Sequence, residues 1–231
     1  MIPALLLLFG KRSVFLPLLC CLATAQVPVL TQRYDSARDG LNANETTLTL
    51  SNVNPSTFGK LFSVPVDGRV FAQPLYVANV SIPGNGTHNV IYVATQHDSV
   101  YAYDADGLQI QPLWTVNLAT SSCSNGWSCT SVPASADTGT TDVLPEVGIT
   151  STPVIDPSTD TIYIVAKTQE VSGSTTNFVY RLHALDITTG AERANSPVVI
   201  QGQAPGRGTR TATVFSCLVR FTHCSARGSC W

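Results

Sequence analysis

His97-Asp98 is the first pair in the chain that could do chemistry. An imidazole beside a carboxylate can pass a proton near neutral pH. The pair also falls between two strand-like segments, and that position favours a polar turn joining them. Glu146, just before Val147-Gly148-Ile149, is the acidic residue best placed to face a central channel. A solvated loop carboxylate fits the same position better. Asp104-Ala105-Asp106-Gly107 begins like a calcium loop but lacks the later oxygen ligands and the closing glutamate, so a turn is expected. His183 lies in an alternating strand and is expected to pack. No glycine-rich phosphate loop, Cys-x-x-Cys pair or serine elbow is present. Catalytic and cofactor-binding residues therefore stay unassigned, and no metal ligand set is expected.

Other residues speak of export. Lys11 and Arg12 precede an apolar run, Val14 to Leu22, followed by Ala23-Thr24-Ala25. That order is a signal peptide over residues 1–25, with cleavage expected after Ala25. The run is short for a membrane span, so a stable anchor is not expected. Cys20 and Cys21 fall in the removed segment, where Leu18 and Leu19 do not suit a lipoprotein signal. The mature chain is then secreted or periplasmic, where thiols oxidise. Cys123 and Cys129 enclose a five-residue loop containing Gly126 and are expected to form a disulfide. Asn44-Glu45-Thr46, Asn79-Val80-Ser81 and Asn85-Gly86-Thr87 are glycan acceptor sequons.

Hydrophobic residues make up 44% of the chain and charged residues 12%, which excludes disorder. From Gln26 to Ile200 there are 7 basic and 15 acidic residues. So acidic a body does not suit nucleic-acid phosphates. No long stretch carries the helical period; short runs of Val, Ile, Thr and Tyr alternate with Gly and Pro turns, so the class is all-β. After a polar leader at 26–58, strands are expected at Leu61–Val66, Phe71–Val77, Val90–Thr95, Ser99–Tyr103 and Pro112–Leu118. A polar insertion occupies 119–144. Strands resume at Ile149–Ile155, Thr161–Lys167, Phe178–Leu185 and Pro197–Ile200.

These segments repeat. Pro74-Leu75-Tyr76-Val77 matches Pro153-Val154-Ile155, and Val90-Ile91-Tyr92-Val93-Ala94 matches Thr161-Ile162-Tyr163-Ile164-Val165. Ala102-Tyr103-Asp104-Ala105-Asp106-Gly107 matches Ala184-Leu185-Asp186-Ile187-Thr188-Thr189-Gly190 with one residue fewer. Tandem units of four short strands are the pattern of a β-propeller, and about two blades fit between residues 59 and 200. In each unit the Asp bonds nearby backbone N–H groups and the Gly supplies positive φ. Trp114, seven residues after Gly107, is placed to cover the next blade.

The motif Ala-x-Asp-x-x-Thr-Gly, complete at Ala184 to Gly190, resembles the docking repeat of quinoprotein dehydrogenases and their non-catalytic relatives. Asp104, Gly107, Trp114, Asp186 and Gly190 are the repeat-turn residues that carry it. Leu50-Ser51-Asn52-Val53 and Phe58-Gly59-Lys60-Leu61-Phe62 resemble the entry to such propellers. In the enzymes of that family, PQQ sits on the central axis with a calcium ion. The resemblance implies those cofactors for a full-length relative and none for this chain, in which no motif receives their ligands. It implies an incomplete propeller that binds a ligand or a protein as a scaffold, and that could self-associate through an exposed blade. The alternative it implies is a PQQ- and calcium-dependent dehydrogenase of alcohols or sugars when full length.

After Ile200 the pattern changes. Arg207, Arg210, Arg220 and Arg227 bring positive charge without any acid, and Cys217, Cys224 and Cys230 appear together. With His223 they do not make a zinc spacing. From about Gly206 the tail, residues 201–231, is expected to be a reading-frame artefact.

Overall fold

The computed structural model describes residues 27–137 and 143–201, and the backbone of residues 203–204 and 212–213. Residues 1–25, expected as a signal peptide, lie outside the described residues, as do the side chains of the tail from residue 202, its three cysteines included.

The chain is all-β, with antiparallel sheets. The first is a four-stranded meander of β1 (Leu75–Ile82), β2 (Gly86–Ala94), β3 (Ser99–Asp104) and β4 (Trp114–Asn117), paired in that order. A one-turn helix, α1 (Leu118–Ser121), follows, capped by the Asn117 side chain accepting from the Thr120 N–H. The insertion is not merely polar loop. It holds β5 (Ser128–Pro133) and a second one-turn helix, α2 (Ala134–Asp137), before the two-residue strand β6 (Glu146–Val147).

The second sheet contains β7 (Val154–Asp156), β8 (Thr161–Ser172), β9 (Thr175–Asp186) and β10 (Val198–Val199). β7 pairs with the first half of β8, and β5 takes over along the second half, from Thr168 to Val171. The β8–β9 hairpin is longer than the sequence suggested because its turn lies at Gly173, with φ of +57°. Two residue pairs, β11 (Gln203–Ala204) and β12 (Ala212–Thr213), form a separate ribbon.

The registers make the two sheets equivalent row by row. Leu75, Tyr92, Ala102 and Trp114 lie across one row of the first sheet. Val154, Tyr163 and Ala184 form the matching row of the second. Strand side chains alternate between faces, so each row fixes which face the next presents. Leu75, Val90, Tyr92, Val100, Ala102 and Trp114 point from the first sheet into one core with Ile155, Ile162, Ile164, Leu185 and Ile187 of the second. Tyr92 and Trp114 both donate to the Ile187 carbonyl, at 3.0 and 2.9 Å. Each ring removes on the order of 150–250 Å² from water, about 4–6 kcal/mol apiece. The leader joins in: Val29 pairs with Tyr76 at 2.9 Å in both directions, and the Leu30 carbonyl accepts from the Ile155 N–H at 2.8 Å.

Leu61–Val66 forms no strand. The segment lies against the far face of the first sheet, where the Tyr103 hydroxyl donates to the Pro65 carbonyl. Ile149–Ile155 is extended only at its end, in β7, because residues 148–150 are held by the Gln96 side chain and the Thr95 carbonyl of the β2–β3 turn.

Candidate functional site

The turn between β2 and β3 brings polar side chains to one end of both sheets. His97 and Asp98 do occupy a turn, but they are not partners. The His97 Nδ1 meets the Glu146 carboxylate at 3.0 Å, and the Ser131 hydroxyl donates to the same carboxylate. His97 is half exposed and Glu146 mostly covered. A carboxylate on Nδ1 orients the ring and leaves Nε2 to face a ligand. The serine is bonded to the glutamate and not to the imidazole, so it is not an activated nucleophile.

Asp98 has φ of +58° and no exposed surface. Among the described residues neither carboxyl oxygen has a hydrogen-bond partner. Burial first, then the Glu146 and Asp67 charges, push its pKa well above the usual carboxylate range. The Lys167 backbone N–H lies near the carboxyl and opposes that rise. Gly148 packs directly on the carboxyl: a Cβ there would lie 2.5 Å from Asp98 Oδ1 and 2.3 Å from the Gln96 carbonyl.

Gln96, which the sequence did not single out, is the clamp between the sheets. Its Nε2 donates to the Ile149 carbonyl at 3.0 Å, and its Oε1 accepts from the Gly148 N–H at 2.9 Å and the Thr150 hydroxyl at 3.1 Å. A fully buried glutamine among strand residues looks like any polar turn residue until its three partners across the interface are seen. Asp67 completes the end, accepting from Thr95 Oγ1 at 2.9 Å and Ser99 Oγ at 2.6 Å.

The repeat-turn residues sit at the opposite ends of β3 and β9. Asp104 Oδ1 accepts the Asp106 N–H at 2.9 Å, and Asp186 Oδ1 accepts the Thr188 N–H at 2.7 Å. Gly107 and Gly190 have φ of +71° and +72°, which a side chain would resist. A Cβ on Gly190 would meet the Trp114 ring at 2.6 Å, and one on Gly107 would meet the Phe62 ring at 2.7 Å. His183 is fully buried, with Nδ1 on Glu192 at 2.9 Å. Cys123 and Cys129 have their sulfurs at disulfide distance, 2.01 Å. Asn44, Asn79 and Asn85 are all exposed.

Calcium takes about six to eight oxygen ligands. Among the described residues no group of three His, Cys, Asp or Glu side chains is placed to hold a metal ion. Among the same residues no helix is long and apolar enough to cross a membrane. No protein-family model, curated protein or solved structure matches the chain.

Proposed function

We propose that this chain is part of a secreted, PQQ-like β-propeller that serves as a binding scaffold, its ligand surface being the end formed by Asp67, His97, Asp98, Glu146 and Gly148. Asp98 carries the proposal. A buried carboxyl without partners costs stability, on the order of 1–3 kcal/mol, and strained φ adds to that. Such a cost is tolerated beside a binding surface, here the half-exposed His97 and the Glu146 that orients it, which can meet a ligand while Asp98 stays covered behind Gly148. Two carboxylates at one sheet end, Asp67 and Glu146, favour a ligand rich in hydrogen-bond donors, a polyol or an amine. The four-stranded first sheet, with its aspartate turn and tryptophan, stacked on the β7–β8–β9–β10 ladder of the six-stranded second sheet, supports the propeller architecture.

The test is calorimetric titration of the exported protein with glucose, glycerol and spermidine, repeated on Asp98→Asn and Glu146→Gln. Saturable binding of one of them, lost in Asp98→Asn, is the expected result. Absence of binding by all three would overturn the assignment of this end. Dye reduction that depends on added PQQ and calcium would instead favour the dehydrogenase.

A further inference from the structure

Two of the glycan acceptor sequons lie on the β1–β2 hairpin, at the end of the first sheet away from His97, and the fold treats them differently. Asn85 stands at the hairpin tip, between the last residue of β1 and the first of β2. Its backbone N–H donates to the Ile82 carbonyl at 3.0 Å and closes the turn. Asn85, Gly86 and Thr87 are all exposed. Gly84 and Gly86, on either side of the acceptor, have φ of +74° and +94°. A Cβ built on either glycine would meet no heavy atom within 4 Å. The acceptor therefore stands in open space. Thr87 faces outward too. It pairs with Ser81, whose neighbours Val80 and Ile82 are each 5% exposed and belong to the core. Side chains alternate along a strand, so Ser81 and Thr87 point away from that core.

Asn79-Val80-Ser81 is built into β1 instead. Val80 packs in the core, and Val80 and Ser81 pair with His88 and Thr87. Asn79 sits where the register shifts, with φ of +57°, and its N–H donates to Asn89 Oδ1 at 3.1 Å. Its side chain is exposed, but the segment on which a transferase must act is held by the sheet. Asn89, on the same hairpin, is tied through Nδ2 to Asp106 at 2.9 Å. Asn44-Glu45-Thr46 is exposed in the leader, outside both sheets.

We propose that Asn85 is the N-glycan carrier of the first sheet, modified in preference to Asn79, and that its glycan projects from the end opposite His97 and Glu146. β2 runs from Gly86 to Ala94, and His97 lies just beyond its far end. A strand of that length separates the two ends by about 30 Å. The glycan thus shares its end with the Asp104–Gly107 turn, where the Asn89 carbonyl accepts from the Ala105 N–H, and leaves the His97 end open. The donor is a lipid-linked oligosaccharide. Asn85 Nδ2 bonds to its anomeric carbon, the bond from that carbon to the pyrophosphate oxygen breaks, and the amide gives up one proton as the lipid pyrophosphate leaves. Sequons of this kind are used on the surface of secreted chains, so the proposal rests on the secreted reading above.

The experiment is secretion of the full chain from a eukaryotic host, which supplies the donor and the transferase, followed by peptide mapping of each acceptor by mass spectrometry. Asn85 is expected to be modified in most molecules and several-fold more often than Asn79. Asn85→Gln and, independently, Thr87→Ala should each lose that glycan and keep the far-UV spectrum, because both side chains are exposed. Diethyl pyrocarbonate reads the placement: His97 should react at an unchanged rate after the glycan is removed enzymatically. Secreted protein with Asn85 bare, or with Asn79 modified more often, would overturn the site while leaving the secreted reading intact. A His97 that reacts several-fold faster once the glycan is gone would overturn the placement. Protein kept inside the cell with residues 1–25 attached would overturn the secreted reading and this site with it.

Discussion

The indole of Trp114 covers Gly190 so closely that a single methyl group at that glycine would sit 2.6 Å from the ring. The same ring tilts against Tyr92, with centroids 5.9 Å apart, and both polar tips reach the Ile187 carbonyl. One turn of the second sheet is thereby read by two aromatic residues of the first. Phe62 on Gly107 repeats the contact one step earlier in the chain. A tandem β-protein needs such a device because each sheet buries its face only against a neighbour.

His88 and Asp104 tie β2 to the turn after β3, with Nδ1 to Oδ2 at 2.6 Å. The Asp104 hydrogen bond, then the Asn85 carbonyl, hold the His88 pKa above its usual value. Burial raises Asp104, but His88 and the Leu108 and Asp106 N–H groups outweigh it and hold the pKa below the usual range. A raised histidine stabilises the fold fully below about pH 6.5 and loses that contribution as pH climbs through the raised value. A lowered aspartate does so fully above about pH 3.9 and fails as pH drops through the lowered one. The pair is thus at full strength between about pH 4 and 6.5. Thermal melts should show the advantage of wild type over His88→Gln shrinking from about pH 6 to 8; a constant difference would contradict it.

Asp98 should act in the opposite sense. Its raised pKa means that the folded state holds a proton that the unfolded state releases, so it destabilises the fold as pH rises above about 3.9. Asp98→Asn keeps the shape and removes that titration. Between about pH 4 and 7 the variant should gain stability relative to wild type, because only the acid must hold a proton that the unfolded chain releases. Urea titrations at the two pH values measure this, and an unchanged difference would place the carboxyl in water.

Cys123 and Cys129 are six positions apart. Closing so short a loop contributes about 2 kcal/mol by chain entropy. Peptide mapping of unreduced exported protein should recover the two cysteines linked. The double Cys123→Ala, Cys129→Ala variant should lose no more than that amount and keep the β5–β8 pairing, as read by amide exchange at Thr130. Free thiols at both positions would remove the link.

The all-β class, the β2–β3 turn at His97-Asp98 and the repeat turns at Asp104 and Asp186 were legible because alternation and Asp/Gly punctuation are local signals. The cysteine pair was legible from its loop. Leu61–Val66 misled, since its alternation is that of a strand while its backbone partners are not in the described sheets. β5 was hidden in a run of Ser and Thr because it pairs with only half of β8. The partnership of His97 with Glu146, 49 residues away, and the clamp made by Gln96 depend on how the sheets stack, and no local spacing encodes that.

The stacking of two equivalent units through Trp114 is tested most directly by a double-mutant cycle between Trp114→Ala and Gly190→Ala, read from urea unfolding. Trp114→Ala alone should cost about 3–5 kcal/mol as a buried ring is lost. Gly190→Ala alone should cost more than the roughly 1–2 kcal/mol of left-handed backbone strain, because the methyl group meets the indole. With the ring already removed, only the backbone strain should remain, giving a coupling of about 1 kcal/mol or more. Strictly additive losses would contradict the account, because they would mean that the ring of one sheet does not rest on the turn of the next.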